Sequence, residues 1–222
     1  MFTGIIREIG ELAQRVEKPD GVECCVRAVG AAERCSPGDS IAVSGVCQTV
    51  ETVVGDTITF TAVGETLRRT TLSDLGPGSR VNLEHPATLA TALGGHLVQG
   101  HVDGVGRVER FEQVETTGAT QPGDRYLTIA LPHAIFMFAV EKGSITIDGV
   151  SLTIAGVGSG KTVTITIIPY TLRETIIGEY QIGTSVNIEV DIVAKYVRHF
   201  VMNDEFDREG LLRHETKDVL ER

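Results

Sequence analysis

Short runs of alternating apolar and polar residues recur along most of the chain. "SIAVSG" at residues 40–45 and "TITFTAV" at residues 57–63 show the pattern in the first half. "GSITIDG" at residues 143–149 and "TVTITIIP" at residues 162–169 show it again in the second half. A period of two with many β-branched residues is typical of strands that bury one face. The pattern therefore predicts an all-β protein whose short strands close into barrels or pack as a sandwich.

Three stretches lose this alternation and predict helices. "TLRRTTLSDL" at residues 66–75 and "TLRETIIGEY" at residues 171–180 predict one short helix each, with Thr66 and Thr171 as N-caps. "IVAKYVRHFVMNDEF" at residues 192–206 carries apolar residues at helical spacing. An amphipathic helix has to bury its apolar stripe, either on the chain's own barrel or against other subunits.

The chain also repeats itself in three collinear blocks, with an insertion around residues 111–124. The matching pairs of blocks are residues 4–12 and 100–108, residues 40–50 and 144–154, and residues 65–84 and 170–189. Blocks that keep their order indicate an internal duplication. We therefore predict two homologous domains, 1–92 and 93–193, followed by a helix and charged tail over 194–222.

Composition narrows the class of partner and the compartment. The net charge of -10 argues against nucleic acid, because phosphate binding needs a concentrated basic face. No run approaches the roughly 18 apolar residues of a membrane helix, and the first residues lack the features of a signal peptide. The 4 cysteines show no disulfide or zinc spacing. These features predict a cytoplasmic protein with reduced thiols and no metal.

Polar and glycine residues cluster in "GGHLVQGHVDG" at residues 94–104. His96 and His101 are five residues apart, a spacing that makes a poor metal chelate on either a strand or a helix. The glycines indicate either a bending strand beside a ligand or a structural turn.

Two differences between the copies are candidates for chemistry. Asp148 stands where the first copy has Ser44, and Ser151 stands where it has Cys47. A buried Asp needs hydrogen-bond partners or a shifted pKa, although an Asp-Gly pair is also common in turns. Cys47 and Ser151 are candidate nucleophiles, although a buried cysteine also serves as a small apolar residue.

In combination, several segments closely resemble the riboflavin synthase family, the alpha-chain type with two lumazine-binding repeats. These segments are "MFTGII", "GDSIAVSGVCQTV", "ETLRRTTLSDL", "GGHLVQGHVDG", "KGSITIDGVSLTI" and "VNIEVD". The resemblance implies two homologous six-stranded Greek-key β-barrels in tandem, plus a C-terminal α-helix that gathers three chains into a homotrimer.

The resemblance also implies a reaction. Two molecules of 6,7-dimethyl-8-ribityllumazine exchange a four-carbon unit and give riboflavin and 5-amino-6-ribitylamino-uracil, with no metal and no redox cofactor. Because donor and acceptor are the same compound, a duplicated pocket suits the chemistry. Lumazine synthase is the further partner that the resemblance implies.

Site residues follow from the resemblance, position by position. The first pocket would use Gly4, Ile5, Ile6, Cys47, Gln48, Thr49, Thr61, Ala62, Val63, Gly64, Glu65 and Thr66. The second would use Gly100, His101, Val102, Lys142, Ser151, Leu152, Thr153, Thr166, Ile167, Ile168, Pro169, Tyr170 and Thr171. Candidates for proton transfer and nucleophilic addition are Ser40, Cys47, His101, Asp148, Ser151 and Asp191, with base and nucleophile unassigned.

Four residues of the first copy depart from the family pattern. Gln48 replaces a Leu, Thr61 an Asp, Val63 a Met and Ser44 an Asn. The family's ligand contacts therefore carry over least directly to the first pocket.

Two rival classes share such barrels. Lumazine proteins of luminous bacteria bind one chromophore without turning it over, and they lack the paired histidines that this chain has at residues 96 and 101. A flavin-reductase-type barrel would need a nicotinamide-binding domain with a glycine fingerprint, which the sequence does not show. The sequence thus favours the enzyme.

Overall fold

The computed structural model describes residues 1–114 and 123–202, and antiparallel strands dominate both repeats. The strands of the first repeat are β1 (Glu8–Lys18), β2 (Gly21–Arg27), β3 (Ser40–Val43), β4 (Val46–Thr49), β5 (Thr52–Val54), β6 (Thr57–Val63) and β7 (Arg80–Glu84). They form one sheet in the order β4-β3-β7-β1-β2-β6-β5.

The described strands of the second repeat are β8 (Gly104–Gln113), β9 (Arg125–Ala130), β10 (Ser144–Ile147), β11 (Val150–Gly158), β12 (Thr162–Ile167) and β13 (Ser185–Val190). These six strands close into a barrel in the order β10-β11-β12-β9-β8-β13. The long strand β11 pairs with β10 at its start and with β12 at its end, which closes the barrel.

The first repeat has a seventh strand because the counterpart of β11 is broken in two. β4 pairs with β3 and β5 pairs with β6, and Val50 and Glu51 separate the two pieces. At the break, the N–H of Val50 donates to the carbonyl of Asp39 and that of Glu51 to the carbonyl of Thr59, both at 2.8 Å. The predicted all-β fold class is confirmed, whereas the predicted six strands are found in the second repeat and the first has seven.

Each repeat has its own apolar core, built by the alternation seen in the sequence. On β6, Ile58 and Phe60 are fully buried, and on β12 Val163 and Ile165 are. Their neighbours in sequence point away from the core, as a period of two requires. Full burial of one such side chain contributes about 1.5–3 kcal/mol. The two cores therefore stabilise the sheet of the first repeat and the closed barrel of the second separately.

Five helices connect or follow the strands in the described part of the chain. They are α1 (Val29–Arg34), α2 (Gly64–Arg69), α3 (His133–Phe136), α4 (Pro169–Glu174) and α5 (Ile192–Met202). α2 and α4 are followed by short 3-10 turns at Thr71–Ser73 and Ile176–Glu179. The predicted short helix in each repeat is thus present.

The predicted N-caps of these helices are wrong. Thr66 and Thr171 lie inside α2 and α4, where their carbonyls accept hydrogen bonds from the hydroxyls of Thr70 and Thr175 at 2.8 and 2.7 Å. Thr70 and Thr175 are the capping residues, and each caps the 3-10 turn that follows it. The loss of alternation marks the region correctly, but α2 and α4 begin directly after their strands, before the predicted caps.

Residues 1–191 form one compact unit, and the C-terminal helix α5 does not belong to it. Tyr196 and Val197 on α5 are exposed over more than half of their surface, and none of its residues is buried. Residues 203–222 of the predicted charged tail, like the middle of the predicted insertion, lie outside the described residues. Within the described ranges, no helix is long and apolar enough to span a membrane. The boundary at residues 92 and 93 stays a prediction.

Two asparagines join the repeats reciprocally. The side-chain amide of Asn82 on β7 donates to the carbonyl of Asp148 at 2.9 Å, and that of its counterpart Asn187 on β13 donates to the carbonyl of Ser44 at 2.8 Å. The side-chain oxygen of each also accepts a backbone N–H of the opposite repeat, at 2.9 and 2.8 Å. Both asparagines are completely buried. The contacts therefore define an approximate two-fold axis between the repeats.

Two hairpin turns meet on this axis. Ser44 and Gly45 have φ values of 44° and 79°. Asp148 and Gly149, the equivalent residues of the second repeat, have the same two values. Positive φ at both central residues is the signature of a two-residue hairpin turn. A Cβ on Gly149 would lie 2.7 Å from the backbone nitrogen of Gly45. Glycine is therefore required here because the two turns pack backbone against backbone.

Replacing Asn187 with Ala should destabilise residues 1–191 substantially. The change removes two hydrogen bonds between the repeats and leaves a buried carbonyl and a buried N–H without their partners, which costs about 2–4 kcal/mol in total. Urea unfolding at one fixed protein concentration measures this difference. Asn82→Ala should give a similar loss, and Gln113→Ala, at an exposed position of β8, should give none. A cost below about 1 kcal/mol for Asn187→Ala would contradict the reciprocal interface.

Candidate active site

The first residues of the chain pack on the second repeat, and the residues that follow the first repeat pack back on the first. The carbonyl of Gly4 accepts the N–H of Ser151 at 2.8 Å, and the carbonyl of Gly100 accepts the N–H of Cys47 at 2.9 Å. Residues 2–6 and 98–102 are called the crossing segments below. The first half-site is the group around Cys47, and the second half-site is the group around Ser151.

The crossing segments meet each other as they change sides. Phe2 and Val98 form an isolated antiparallel bridge, with hydrogen bonds of 2.7 and 3.1 Å between their backbones. Both side chains are buried in a small apolar cluster that also contains Ala42. The crossing is thus a packed part of the structure and lies between the two half-sites.

This exchange corrects the grouping that the sequence predicted. Ile6 packs against the core of the second repeat, and Val102 packs against the core of the first. Gly4 and Ile6 therefore group with the second half-site, and Gly100 and Val102 with the first, which is the reverse of the prediction. The sequence missed this because a repeated block does not show which copy its first strand contacts.

Two buried carboxylates hold the crossing segments in place. Glu84 accepts backbone N–H bonds from Thr3 and Gly4 at 2.7 and 2.9 Å. Its counterpart Glu189 accepts backbone N–H bonds from Gln99 and His101 at 2.7 and 2.8 Å. A carboxylate that accepts two amides makes strong charge-assisted hydrogen bonds. Neither glutamate was predicted, although both end the repeated "VNLE" and "VNIE" blocks.

The close approach of the crossing segments depends on glycine. Gly4 and Gly100 have φ values of 75° and 76°, in the left-handed region. A Cβ on Gly4 would lie 2.5 Å from Cβ of Ser151, and one on Gly100 would lie 2.7 Å from Cβ of Cys47. Any side chain at either glycine would therefore push the crossing segment away from the half-site.

In the second half-site, Ser151 has a histidine partner. Nδ1 of His96 lies 2.8 Å from Oγ of Ser151, and His96 is nearly buried. Burial lowers the pKa of His96, and the nearby Asp191 opposes this only in part. A neutral imidazole at this distance can accept the serine proton. The sequence identified His96 as a poor metal ligand and as one of two paired histidines that favour the enzyme, but it did not place His96 in a site, because this residue lies before the repeated block that starts at Gly100.

Asp148 is placed at the interface between the repeats. Its Oδ1 accepts the N–H of Asn187 at 2.8 Å, and its Oδ2 accepts the hydroxyl of Tyr180 at 2.5 Å. Burial raises the pKa of Asp148 to about 7 and also raises that of Tyr180. This geometry favours the turn interpretation of Asp148, and a direct role in catalysis stays a prediction.

A cavity of about 430 Å³ lies on the approximate two-fold axis, beside Asp148. Equivalent positions of the two repeats line it in pairs, among them Ser44 with Asp148 and Leu75 with Tyr180. Cys47 and Ser151 are not part of its lining. The cavity is therefore distinct from the two half-sites.

The predicted binding segments 61–66 and 166–171 occupy equivalent places, where β6 joins α2 and β12 joins α4. Glu65 forms ion pairs with two arginines of α2, and the hydrogen bonds from these arginines lower its pKa. Tyr170, at the matching position, is exposed and lies against the guanidinium of Arg173. The two segments thus present different polar groups, an acid in the first repeat and a phenol in the second.

The other predicted residues lie on or next to the same strands. Ser40 pairs with Thr49 across β3 and β4, and Gln48 is buried with its amide donating to the carbonyl of Cys47 at 2.9 Å. Lys142 has a φ of 65° just before β10. Asp191 follows β13, Leu152 packs against the second core, and Thr153 pairs with Ser144. Their membership of a ligand site stays a prediction.

Comparison with known proteins identifies the family. The lumazine binding domain family matches residues 3–86 and 99–191, one match for each repeat. Riboflavin synthase of Mycobacterium tuberculosis is 42% identical over 206 residues, which cover 90% of this chain and 98% of that protein. Riboflavin synthase of Bacillus subtilis is 40% identical over 201 residues, which cover 90% of each chain.

Solved structures share the fold. LumP in complex with 6,7-dimethyl-8-(1'-D-ribityl) lumazine superposes with a TM-score of 0.74 at 23% identity, covering 86% of this chain and 99% of that chain. LumP in complex with riboflavin superposes with a TM-score of 0.76 at the same identity. At this level of identity the likeness concerns the fold alone.

Fold and matches together define a protein of two lumazine binding domains. The chain belongs to the riboflavin synthase family. The family and the enzyme class that the sequence motifs indicated are thereby confirmed.

Replacing Asp148 with Asn should change how stability depends on pH. Because burial raises the pKa of Asp148 from 3.8 to about 7, the folded protein keeps this proton over a range in which the unfolded chain releases it. The wild type therefore loses stability as the pH rises from about 4 to about 7, by at most ~1.4 kcal/mol per pH unit from this group. The amide side chain of the variant would imitate the protonated acid and remove this loss.

Urea unfolding of both proteins between pH 5 and pH 8.5 tests this expectation. The stability of Asp148→Asn relative to wild type should rise with pH up to about 7 and then level off. Asp20→Asn, in the exposed turn between β1 and β2, makes the same change of charge and should show no such rise. Parallel curves for wild type and Asp148→Asn would contradict the assigned shift.

Proposed function

We propose that this chain catalyses the dismutation of 6,7-dimethyl-8-ribityllumazine. One molecule gives a four-carbon unit to a second, which yields riboflavin and 5-amino-6-ribitylamino-uracil and needs no oxidant or further substrate. The observation that carries the proposal is the pair of related half-sites, each completed by a crossing segment from the opposite repeat. Curated riboflavin synthases that are 36–42% identical over most of the chain support it.

A duplicated site suits a reaction between two copies of one compound. Each lumazine needs a pocket of the same kind, and the two repeats supply one half-site each. Holding the two rings face to face converts an encounter in solution into an oriented step, which can lower the barrier by about 7–11 kcal/mol. Binding and orientation are therefore the largest contribution that we assign to the protein.

Ser151 and His96 are our candidates for the reactive pair in the second half-site. Ser151 would add through Oγ to the lumazine ring held there, His96 would take the serine proton at Nδ1, and the serine would leave again later in the reaction. The 2.8 Å contact and the lowered pKa of His96 support these roles. In the first half-site the equivalent residue is Cys47, so the two half-sites offer different groups to identical substrates.

A complete reaction centre needs two half-sites that face each other. We place the first half-site of one chain against the second half-site of a neighbour, in a homotrimer held together by α5. The amphipathic character of α5 and its exposed Tyr196 and Val197 support this assembly. The four unpaired cysteines support a cytoplasmic location, and lumazine synthase stays a predicted partner.

Replacing Ser151 with Ala should lower kcat by about 100-fold or more, because the nucleophile in the second half-site is lost. His96→Gln keeps the size and polarity of the side chain and should lower kcat to a similar degree. Flavin fluorescence after mixing purified protein with 6,7-dimethyl-8-ribityllumazine measures the rate. His133→Gln, at the exposed start of α3, is the control and should stay within twofold of wild type.

Two outcomes of this experiment would contradict the proposal. A Ser151→Ala rate within twofold of wild type would remove Ser151 from the mechanism. A wild-type protein that binds the lumazine and forms no flavin would be a non-catalytic lumazine-binding protein, and the proposed reaction would fail.

Replacing Val197 with Glu should dissociate the homotrimer. Val197 lies on the apolar face of α5, and a buried carboxylate in a subunit interface would be strongly unfavourable. Sedimentation of the full chain should then shift from the mass of three chains to that of one, with loss of flavin formation. Val54→Glu, on the exposed strand β5, is the matched control and should leave the mass unchanged. A wild-type monomer with full activity would overturn the assembly.

A further inference from the structure

The second repeat contains a buried pair, Asp148 and Tyr180, that the first repeat lacks. The equivalent positions carry Ser44 and Leu75, which face the same cavity. Asp148 and Tyr180 are exposed over 3% and 8% of their surfaces. The repeats are similar in most of this region, so the pair is a local difference between two otherwise related halves.

The hydroxyl of Tyr180 forms a hydrogen bond to the hairpin turn that contains Asp148. It donates to Oδ2 of Asp148 at 2.5 Å, while Oδ1 of Asp148 accepts the N–H of Asn187 at 2.8 Å. The backbone of Asp148 is also fixed, because its N–H donates to the carbonyl of Asn187 and its carbonyl accepts the amide of Asn82, both at 2.9 Å. Both carboxylate oxygens are therefore engaged, and the side chain has one orientation.

The same turn determines where Ser151 lies. Asp148 and Gly149 are its two central residues, Ile147 pairs with Val150, and Thr146 pairs with Ser151 in the next position of the ladder. In a two-residue hairpin the turn geometry fixes the register of both strands. Only Gly149 and Val150 separate Asp148 from Ser151 in this hairpin, so the turn and Ser151 are coupled directly through the backbone.

The charged groups around the pair come from both repeats. Arg80 of β7 and Glu179 of the second 3-10 turn line the cavity and form an ion pair with each other, and Asp74 also lines the cavity. Among these cavity-lining residues, Tyr180 donates a hydrogen bond from its hydroxyl to the carboxyl of Asp148. Removing that hydroxyl leaves the buried carboxyl with the N–H of Asn187 and without a basic partner among the described residues.

We propose that Tyr180 is a positioning residue for the reaction, which fixes Ser151 in the second half-site through its hydrogen bond to Asp148. This inference rests on the proposed function and deepens it, because it identifies an element that makes one half-site differ from the other. Tyr180 acts through the hairpin turn and does not touch the substrate.

Tyr180→Phe is the decisive variant because it removes the hydroxyl and keeps the ring. We expect kcat for flavin formation to fall about tenfold, the loss typical of one hydrogen bond to a charged or ionisable group. We also expect the pH profile of kcat to move to higher pH, because the carboxylate form of Asp148 loses a donor that lowers its pKa. In Asp148→Asn, the added Tyr180→Phe change should cost less than it does in wild type, since the two groups act together.

Controls separate the possible explanations. Tyr126→Phe, at a half-exposed position of β9, should keep both the rate and the pH profile. A Tyr180→Phe protein whose kcat and pH profile match wild type overturns the proposal, and so does a lower thermal stability without any kinetic change. Failure of the wild-type protein to form flavin is a different result, because it removes the proposed function before the variant is considered.

Discussion

The reciprocal hydrogen bonds of Asn82 and Asn187 are the constraint on which the arrangement of the two repeats depends. Each side-chain amide satisfies a carbonyl and an N–H of the opposite repeat, and both asparagines are buried. A buried backbone group without a partner is costly, so neither repeat can rotate or slide against the other without losing several bonds at once. The hairpin turns at Gly45 and Gly149 can then pack backbone against backbone.

A fixed interface makes the exchange of the crossing segments possible. Residues 2–6 and 98–102 pass each other at the bridge between Phe2 and Val98, and Glu84 and Glu189 hold them by their backbone amides. Each half-site thus takes part of its wall from the other repeat. A single repeat has Cys47 or Ser151 but lacks the crossing segment that contacts it, so each half-site depends on the duplicated chain.

The sequence predicted the strands, the duplication and the family, because a period of two and collinear repeats are local signals. The crossing was not predictable in the same way, because the contact of Gly4 with Ser151 joins residues that are far apart in the chain. The sequence of each repeat would be the same whether its first segment packed on its own repeat or on the other one. The break between β4 and β5 and the caps at Thr70 and Thr175 depend on hydrogen bonds that composition does not reveal. The contact of His96 with Ser151 was not predicted, because His96 has no counterpart in the repeated blocks, although it completes the second half-site.

Symmetry explains why the differences between the repeats matter more than their similarities. Two equal half-sites would bind two lumazines in the same way, yet the proposed reaction requires one molecule to lose four carbons and the other to gain them. The asymmetry lies in Ser151 with His96 against Cys47, and in Asp148 with Tyr180 against Ser44 and Leu75. A buried carboxyl is costly and persists only with hydrogen-bond donors, which Tyr180 and Asn187 supply. A leucine in place of Tyr180 could not support Asp148, so the acid and the phenol form a single unit that distinguishes the second repeat.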